Sequence, residues 1–81
     1  MSREEIMKKV IEVFRDVFDD DQIELRKETS AKDIEDWDSL MHITLVTALE
    51  KEFDINFKLK EVIELQNVGD TIELIERKLS E

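Results

Sequence analysis

The chain has 81 residues, of which 41% are apolar and 42% are charged, so its length suits one small domain with a modest core. Its 22 acidic and 12 basic residues give a net charge of −10, which would repel a phosphate backbone and argues against nucleic-acid binding. Cysteine is absent, which excludes disulfides and thiolate metal sites. Proline is absent and glycine occurs once, so an all-helical fold is favoured over tight hairpins.

The distribution of apolar residues argues against membrane insertion. Charges interrupt the N-terminal segment every few positions, and no apolar run approaches the length of a bilayer span. We therefore expect no signal peptide and no transmembrane helix, and we expect a cytoplasmic monomer. The negative electrostatic potential of the protein would speed its encounter with proteins that carry basic patches, and such proteins are the expected partners.

The first predicted helix runs from about Ser2 to Phe18. Ser2 and Glu5 have the spacing of a capping box, and apolar residues then recur on one helical face. The acidic segment DDDQ at 19–22 ends the helix, because its short side chains compete for backbone hydrogen bonds and its charges oppose the helix dipole. The apolar face comprises Ile6, Val10, Val13, Phe14 and Val17.

A connection of about twenty residues then leads to Asp38, which is long for a compact domain unless the loop is anchored or functional. Ser30 and Asp33 can cap one short turn within it. A calcium loop is disfavoured because apolar residues interrupt the oxygen ligands and the turn lacks glycine, so we predict no intrinsic metal site. The predicted apolar anchors of this loop are Ile23, Leu25, Ile34 and Trp37.

Three further helices complete the predicted fold, an all-α four-helix bundle with three longer helices, one short helix and a long first loop. The last helix begins at the segment NVGD, where Asn67 can act as N-cap and Asp70 is the acidic third residue. The predicted apolar faces are Leu40, Ile43, Val46, Leu49 and Phe53, widened by Leu45 and Ala48, in the second helix; Leu59, Val62, Ile63 and Leu65 in the short third; and Val68, Ile72, Ile75 and Leu79 in the last.

The segment DWDSL at 36–40 places one serine where the second helix begins. If Asp38 is the N-cap and accepts from the amides of Leu40 and Met41, Ser39 is the first helical residue. Its hydroxyl then lies in solvent at the positive end of the helix dipole, where an attached phosphate is favoured. Aspartate and serine are also common at helix starts, so the triplet by itself favours a role in folding alone.

The longer stretch D-W-D-S-L-M-H-I-T-L-V-T-A-L-E-K-E-F-D-I, at 36–55, resembles the acyl carrier protein family. In that family an Asp-Ser-Leu motif opens the second helix of a four-helix bundle. The resemblance extends along the chain through the amphipathic first helix, the long first loop, the run from Ala48 to Ile55 and the NVGD segment. It implies one carrier domain over 1–81 that is not an enzyme.

The resemblance also implies a prosthetic group. Ser39 would carry 4′-phosphopantetheine, joined through a phosphodiester by a phosphopantetheinyl transferase that uses coenzyme A and magnesium. The thiol of the arm would hold acyl groups as thioesters, which explains how a chain without cysteine performs thiol chemistry. Asp38 would contribute to the magnesium site during modification, and Leu40 would dock on the transferase.

Ser39 and His42 also suggest a hydrolase pair, because His42 follows one helical turn later. There is no G-x-S-x-G elbow and no glycine-lined oxyanion hole, so we predict no catalytic residue. We expect His42 to be a surface residue near the arm, within reach of its phosphate or of a partner. Trp37 is expected to anchor the loop beside the second helix, and Met41 to be semi-exposed in an adaptable contact surface.

The second helix departs from the pattern of fatty-acid carriers. Positions that are commonly acidic there are Met41, Thr44 and Lys51 here, which predicts selective partners. The W-D-S-L opening followed by histidine resembles carriers of specialised pathways, such as surface polysaccharide, polyketide or amino-acid-loading systems. An aminoacyl or peptidyl carrier and an unmodified acidic helical adaptor stay open as alternatives. The predicted partner-binding residues are Met41, His42, Thr44 and Glu50.

Overall fold

The computed structural model describes residues 2–34 and 37–80, and within them the chain forms four helices. The all-α bundle is therefore confirmed, with one helix much shorter than the others. Asp36, which belongs to the segment DWDSL, lies outside the described residues. The helices are α1, Arg3–Val17; α2, Ser39–Phe53; α3, Leu59–Glu64; and α4, Val68–Leu79.

The predicted helix starts are confirmed by their hydrogen bonds. Ser2 Oγ accepts from the Glu5 amide at 3.2 Å, and Glu5 Oε1 accepts from the Ser2 amide at 3.4 Å, which completes the capping box of α1. At α4, Asn67 Oδ1 accepts from the Asp70 amide at 2.8 Å. The predicted span of the first helix, 2–18, equals the helix together with its two cap residues.

The core lies where α1 packs against α2 and α4. Four residues of α2 are buried there, between Leu45 and Phe53 along the helix. The predicted apolar stripe of α2 is wrong at its start, because Leu40 is 72% exposed and Ile43 is 60% exposed. Each three-residue step turns a helix through about 300° rather than a full circle, so Leu40 ends about half a turn from Leu49. The buried residues of α2 are Leu45, Val46, Leu49 and Phe53.

The other predicted faces are confirmed in part. Val68, Ile72 and Ile75 of α4 are buried, whereas Leu79 is exposed at the end of the helix. In α3 no residue is buried, and Leu59 and Ile63 of its predicted apolar face are exposed. None of the helices in the described part of the chain has the length and apolarity needed to cross a membrane.

The long first loop is anchored, as predicted. Leu25 and Trp37 are buried, and Ile23 and Ile34 are half-buried against the core. The predicted short turn is also present, since the Ser30 amide donates to the Asp33 carboxylate at 2.9 Å. The described part of the loop is therefore packed against the bundle.

Backbone hydrogen bonds tie the same loop to the start of α4. The Val68 amide donates to the Thr29 carbonyl at 2.8 Å, and the Gly69 amide donates to the Lys27 carbonyl at 2.9 Å. These amides belong to the first turn, where a helix supplies no acceptors of its own. A Cβ at Gly69 would lie 3.1 Å from the Lys27 carbonyl oxygen, which accounts for the single glycine of the chain.

Candidate functional site

Asp38 is the N-cap of α2, as the sequence predicted. Its backbone is extended, and its Oδ1 accepts from the Met41 amide at 2.8 Å. The predicted second bond, from the Leu40 amide, is not among the hydrogen bonds of the described residues.

Ser39 is the first residue of α2 and is exposed, as predicted. Its side chain therefore lies where the free amides of the first turn concentrate positive partial charge. The first turn of α2 contains no acidic residue within the helix itself. An anion attached to the Ser39 hydroxyl would be favoured there by the helix dipole.

A groove of about 470 Å³ adjoins Ser39 and runs between the start of α2 and α3. Trp37 and Ile43 line it on the α2 side, and Leu59 and Ile63 line it on the α3 side. Leu59 is 76% exposed and Ile63 is 72% exposed. We call the exposed lining residues Ile43, Leu59 and Ile63 the apolar rim. The sequence placed these residues on the apolar faces of their helices, but their spacing did not indicate how far each is exposed.

His42 bridges three segments of the chain. Its Nδ1 accepts from Trp37 Nε1 at 3.0 Å, and its Nε2 lies 3.2 Å from the Val62 carbonyl oxygen in α3. The two rings are stacked with their centroids 5.9 Å apart. The ring lines the groove beside Ser39, but it is half-buried rather than fully exposed, and both of its nitrogens contact the chain itself.

This bonding also bears on the imagined hydrolase pair. A general base must accept a proton from the serine hydroxyl, directly or through one water. Nδ1 of His42 already accepts from Trp37, and Nε2 contacts a carbonyl, which can only accept. His42 therefore has no lone pair available for Ser39 in this arrangement.

Trp37 anchors the loop beside α2, as predicted. Its ring is buried and packs edge-on against Phe14 of α1, with centroids 5.3 Å apart. Its ring centroid also lies 6.4 Å from that of Phe18. Trp37, which directly precedes the Asp38 cap, thus attaches the start of α2 to the core.

The remaining predicted site residues fall into two groups. Met41 is half-buried and Thr44 is exposed, and both follow Ser39 within the first turns of α2. Glu50 lies eleven residues after Ser39, roughly 16 Å along the helix. Its Oε2 accepts from the Phe57 amide at 2.8 Å, so it fixes the connection to α3, a role that no sequence signal indicated. A partner-binding role for these residues stays a prediction.

The comparisons with known proteins agree with this geometry. A family model described as the phosphopantetheine attachment site matches residues 8–75. An acyl carrier protein of Exiguobacterium is 35% identical over 79 residues, covering 98% of this chain and 100% of that protein. One from Petrotoga mobilis is 30% identical over 80 residues, covering 99% and 94%. The solution NMR structure of a holo acyl carrier protein from Geobacter metallireducens has a TM-score of 0.85 and 48% identity, covering 90% and 84%.

The helical bundle and the family match together define a phosphopantetheine-dependent carrier, which is a non-catalytic class of protein. This chain belongs to the acyl carrier protein family. Its cofactor is 4′-phosphopantetheine, whose thiol holds acyl groups as thioesters when the group is attached. The residues present suit that group: an exposed hydroxyl for a phosphodiester, a positive helix start for its charge and a largely apolar groove beside them.

Proposed function

We propose that Ser39 is the residue to which 4′-phosphopantetheine is attached. The observation that carries the proposal is the position of Ser39, exposed at the first residue of α2 and beside the mouth of the groove. The phosphodiester would lie at the positive end of the helix, and the arm could extend along the apolar walls of the groove. The hydroxyl needs no neighbour from this chain to activate it, since the transferase supplies that chemistry.

Asp38 and Leu40 flank the attachment site and have separate proposed roles. Asp38 is exposed and uses one carboxylate oxygen for the cap, which leaves its other oxygen free for a magnesium ion held by the transferase. Leu40 projects into solvent beside Ser39, where it could bury apolar surface against the transferase. Coenzyme A is the donor of the arm in this reaction.

We propose that the partners after modification are acyl-processing enzymes of a specialised pathway. Around Ser39 the surface of α2 presents Leu40, Met41, Ile43 and Thr44, which are apolar or neutral. The acidic residues that α2 has, such as Glu50, lie towards its far end. Basic-faced enzymes could still be attracted by the net charge of −10, but docking close to the serine would depend on apolar contact. Such a carrier would act in the cytoplasm.

The cargo would be an acyl group, with an aminoacyl or peptidyl group as the alternative. The apolar rim favours the acyl group, because a hydrocarbon chain gains about 25 cal/mol for each Å² of apolar surface that it shields. A polar aminoacyl group would gain little from the same walls. An adaptor without a prosthetic group is the competing function of another class, since an exposed apolar rim is also typical of a docking face.

Intact-mass measurement tests the attachment. The unmodified protein is incubated with coenzyme A, magnesium and a broad-specificity phosphopantetheinyl transferase. The wild type should gain the mass of one phosphopantetheine, and Ser39→Ala should gain none. Ser80→Ala removes another exposed serine and should be modified like the wild type. An unmodified wild type would favour the adaptor, and a modified Ser39→Ala would place the arm elsewhere.

A further inference from the structure

The helix α3 is held to the bundle by few contacts. It has six residues and none of them is buried, while Leu59 and Ile63 project into solvent. A helix of this length does not form alone in water, so its neighbours must hold it in place. Its position relative to α2 sets the width of the groove beside Ser39.

Two side chains from other helices form polar contacts with α3 within the described residues. On the α4 side, Lys78 Nζ lies 2.8 Å from Glu61 Oε1, which also accepts from the Lys58 amide at 2.8 Å. On the α2 side, His42 Nε2 lies 3.2 Å from the carbonyl oxygen of Val62. Only the second contact crosses the groove, because both His42 and Val62 line it.

The core fixes which nitrogen of His42 carries the proton. The indole N–H of Trp37 can only donate, so Nδ1 of His42 must be the acceptor. The neutral ring then carries its proton on Nε2 and donates it to the Val62 carbonyl. Packing of Trp37 against Phe14 and Phe18 holds the indole in the orientation that this arrangement needs.

We propose that His42 is a positioning residue that holds α3 at its present distance from α2 and thereby limits the size of cargo that the groove accepts. The hydrogen bond joins the two walls of the groove near its Ser39 end. No residue of α3 is buried, so once that bond is lost the polar contact that still opposes an outward movement of α3 is the Lys78–Glu61 ion pair on its other side. The inference rests on the proposed function, but it requires no contact between the imidazole and the arm.

The first test uses the unmodified protein, so it does not depend on the attachment at Ser39. Nitrogen-15 NMR of the His42 ring should show a protonated Nε2 and an unprotonated Nδ1. Two variants then separate the contacts of the ring. His42→Asn can still accept from Trp37 but is too short to reach Val62. His42→Gln places its amide nitrogen near the position of Nε2 and can donate to Val62.

Amide exchange in α3 reports the result. Exchange at Val62, Ile63 and Glu64 should be about fivefold faster in His42→Asn than in the wild type, because one net hydrogen bond is lost. It should return towards the wild-type rate in His42→Gln. A role limited to pairing with Trp37 would leave the Asn variant unchanged. The opposite ring tautomer, or equal exchange in the Asn and Gln variants, would overturn the proposal.

The second test uses the modified protein carrying octanoyl or hexadecanoyl thioesters. Loading with the longer chain should change the amide shifts of Ile43 and Ile63 at least twice as much in His42→Asn as in the wild type or His42→Gln. Equal changes in all three proteins would overturn the limit on cargo size. Failure of the wild type to accept the arm would count against the proposed function instead, and the exchange result would still decide the role of His42.

Discussion

Replacements of Asp38 should separate its two roles, as the cap of α2 and as part of the magnesium site during modification. Asp38→Ala removes the 2.8 Å bond to the Met41 amide, and loss of such a cap costs about 1 kcal/mol, with a range of about 0.5–2 kcal/mol. In a domain of this size, 1 kcal/mol lowers the melting temperature by roughly 4–8 °C. Asp38→Asn should melt within about 2 °C of the wild type, because asparagine caps as well as aspartate.

The rate of phosphopantetheine attachment should depend on the same two substitutions in a different way. Asparagine keeps the cap but lacks the carboxylate charge, so Asp38→Asn should be modified at least about tenfold more slowly at low magnesium, the effect of losing about 1.4 kcal/mol of metal contact. Melting curves by circular dichroism and timed intact-mass measurements give the two quantities. If Asp38→Asn were modified at the wild-type rate, the proposed metal role would be wrong. If Asp38→Ala melted like the wild type, the assigned cap would contribute nothing.

Three other predictions concern cargo, partners and pH. An octanoyl thioester should raise the melting temperature of the modified protein and change amide shifts along Leu59–Leu65, because the chain shields apolar surface in the groove. Replacing Met41 with Asp and Thr44 with Glu should raise kcat/KM with a fatty-acid ketosynthase at low salt, since the added carboxylates speed association with a basic enzyme. The hydrogen bond from Lys78 and then that from the Lys58 amide hold the pKa of Glu61 below its ordinary value of 4.5. Glu61 should therefore stabilise the fold above about pH 4.5, and this stabilisation should be lost as the pH falls through its lowered pKa.

Each of these predictions has an outcome that would contradict it. Identical melting curves and shifts for the octanoyl and unloaded forms would show that the groove does not hold cargo. A ketosynthase gain that persisted at high ionic strength would contradict an electrostatic cause. For the pH effect, Glu61→Gln should flatten the loss of stability on acidification, whereas Glu64→Gln, an exposed neighbour on the same helix, should not. If Glu61→Gln and the wild type lost stability equally as the pH falls, the stabilising role of the ion pair with Lys78 would be contradicted.

Local signals in the sequence predicted the parts of the fold that depend on neighbouring residues. The capping box at Ser2, the cap at Asn67 and the cap at Asp38 each join residues three apart, so their spacing alone indicates the bond. The position of Ser39 follows from the Asp38 cap for the same reason. The family motif around Ser39 then supplied the chemistry that a helix start cannot specify.

Contacts between distant segments could not be predicted in the same way. The bond from His42 to Val62 spans twenty residues, and the bond that Glu50 accepts from the Phe57 amide crosses a turn whose path the sequence does not define. The predicted position of Leu40 on the apolar stripe was a different kind of error. A stripe of three-residue steps drifts around the helix, and counting apolar spacings without the angle placed Leu40 on the wrong face.

The attachment of phosphopantetheine to Ser39 is tested most directly by locating the group on a peptide. Trypsin releases residues 33–51, a peptide with Ser39 as its one serine and with Thr44 and Thr47 as its other hydroxyl side chains. After modification with coenzyme A, tandem mass spectrometry of that peptide should place one phosphopantetheine on Ser39. Fragments that place the group on either threonine, or a modified protein in which this peptide is unchanged, would contradict the assignment.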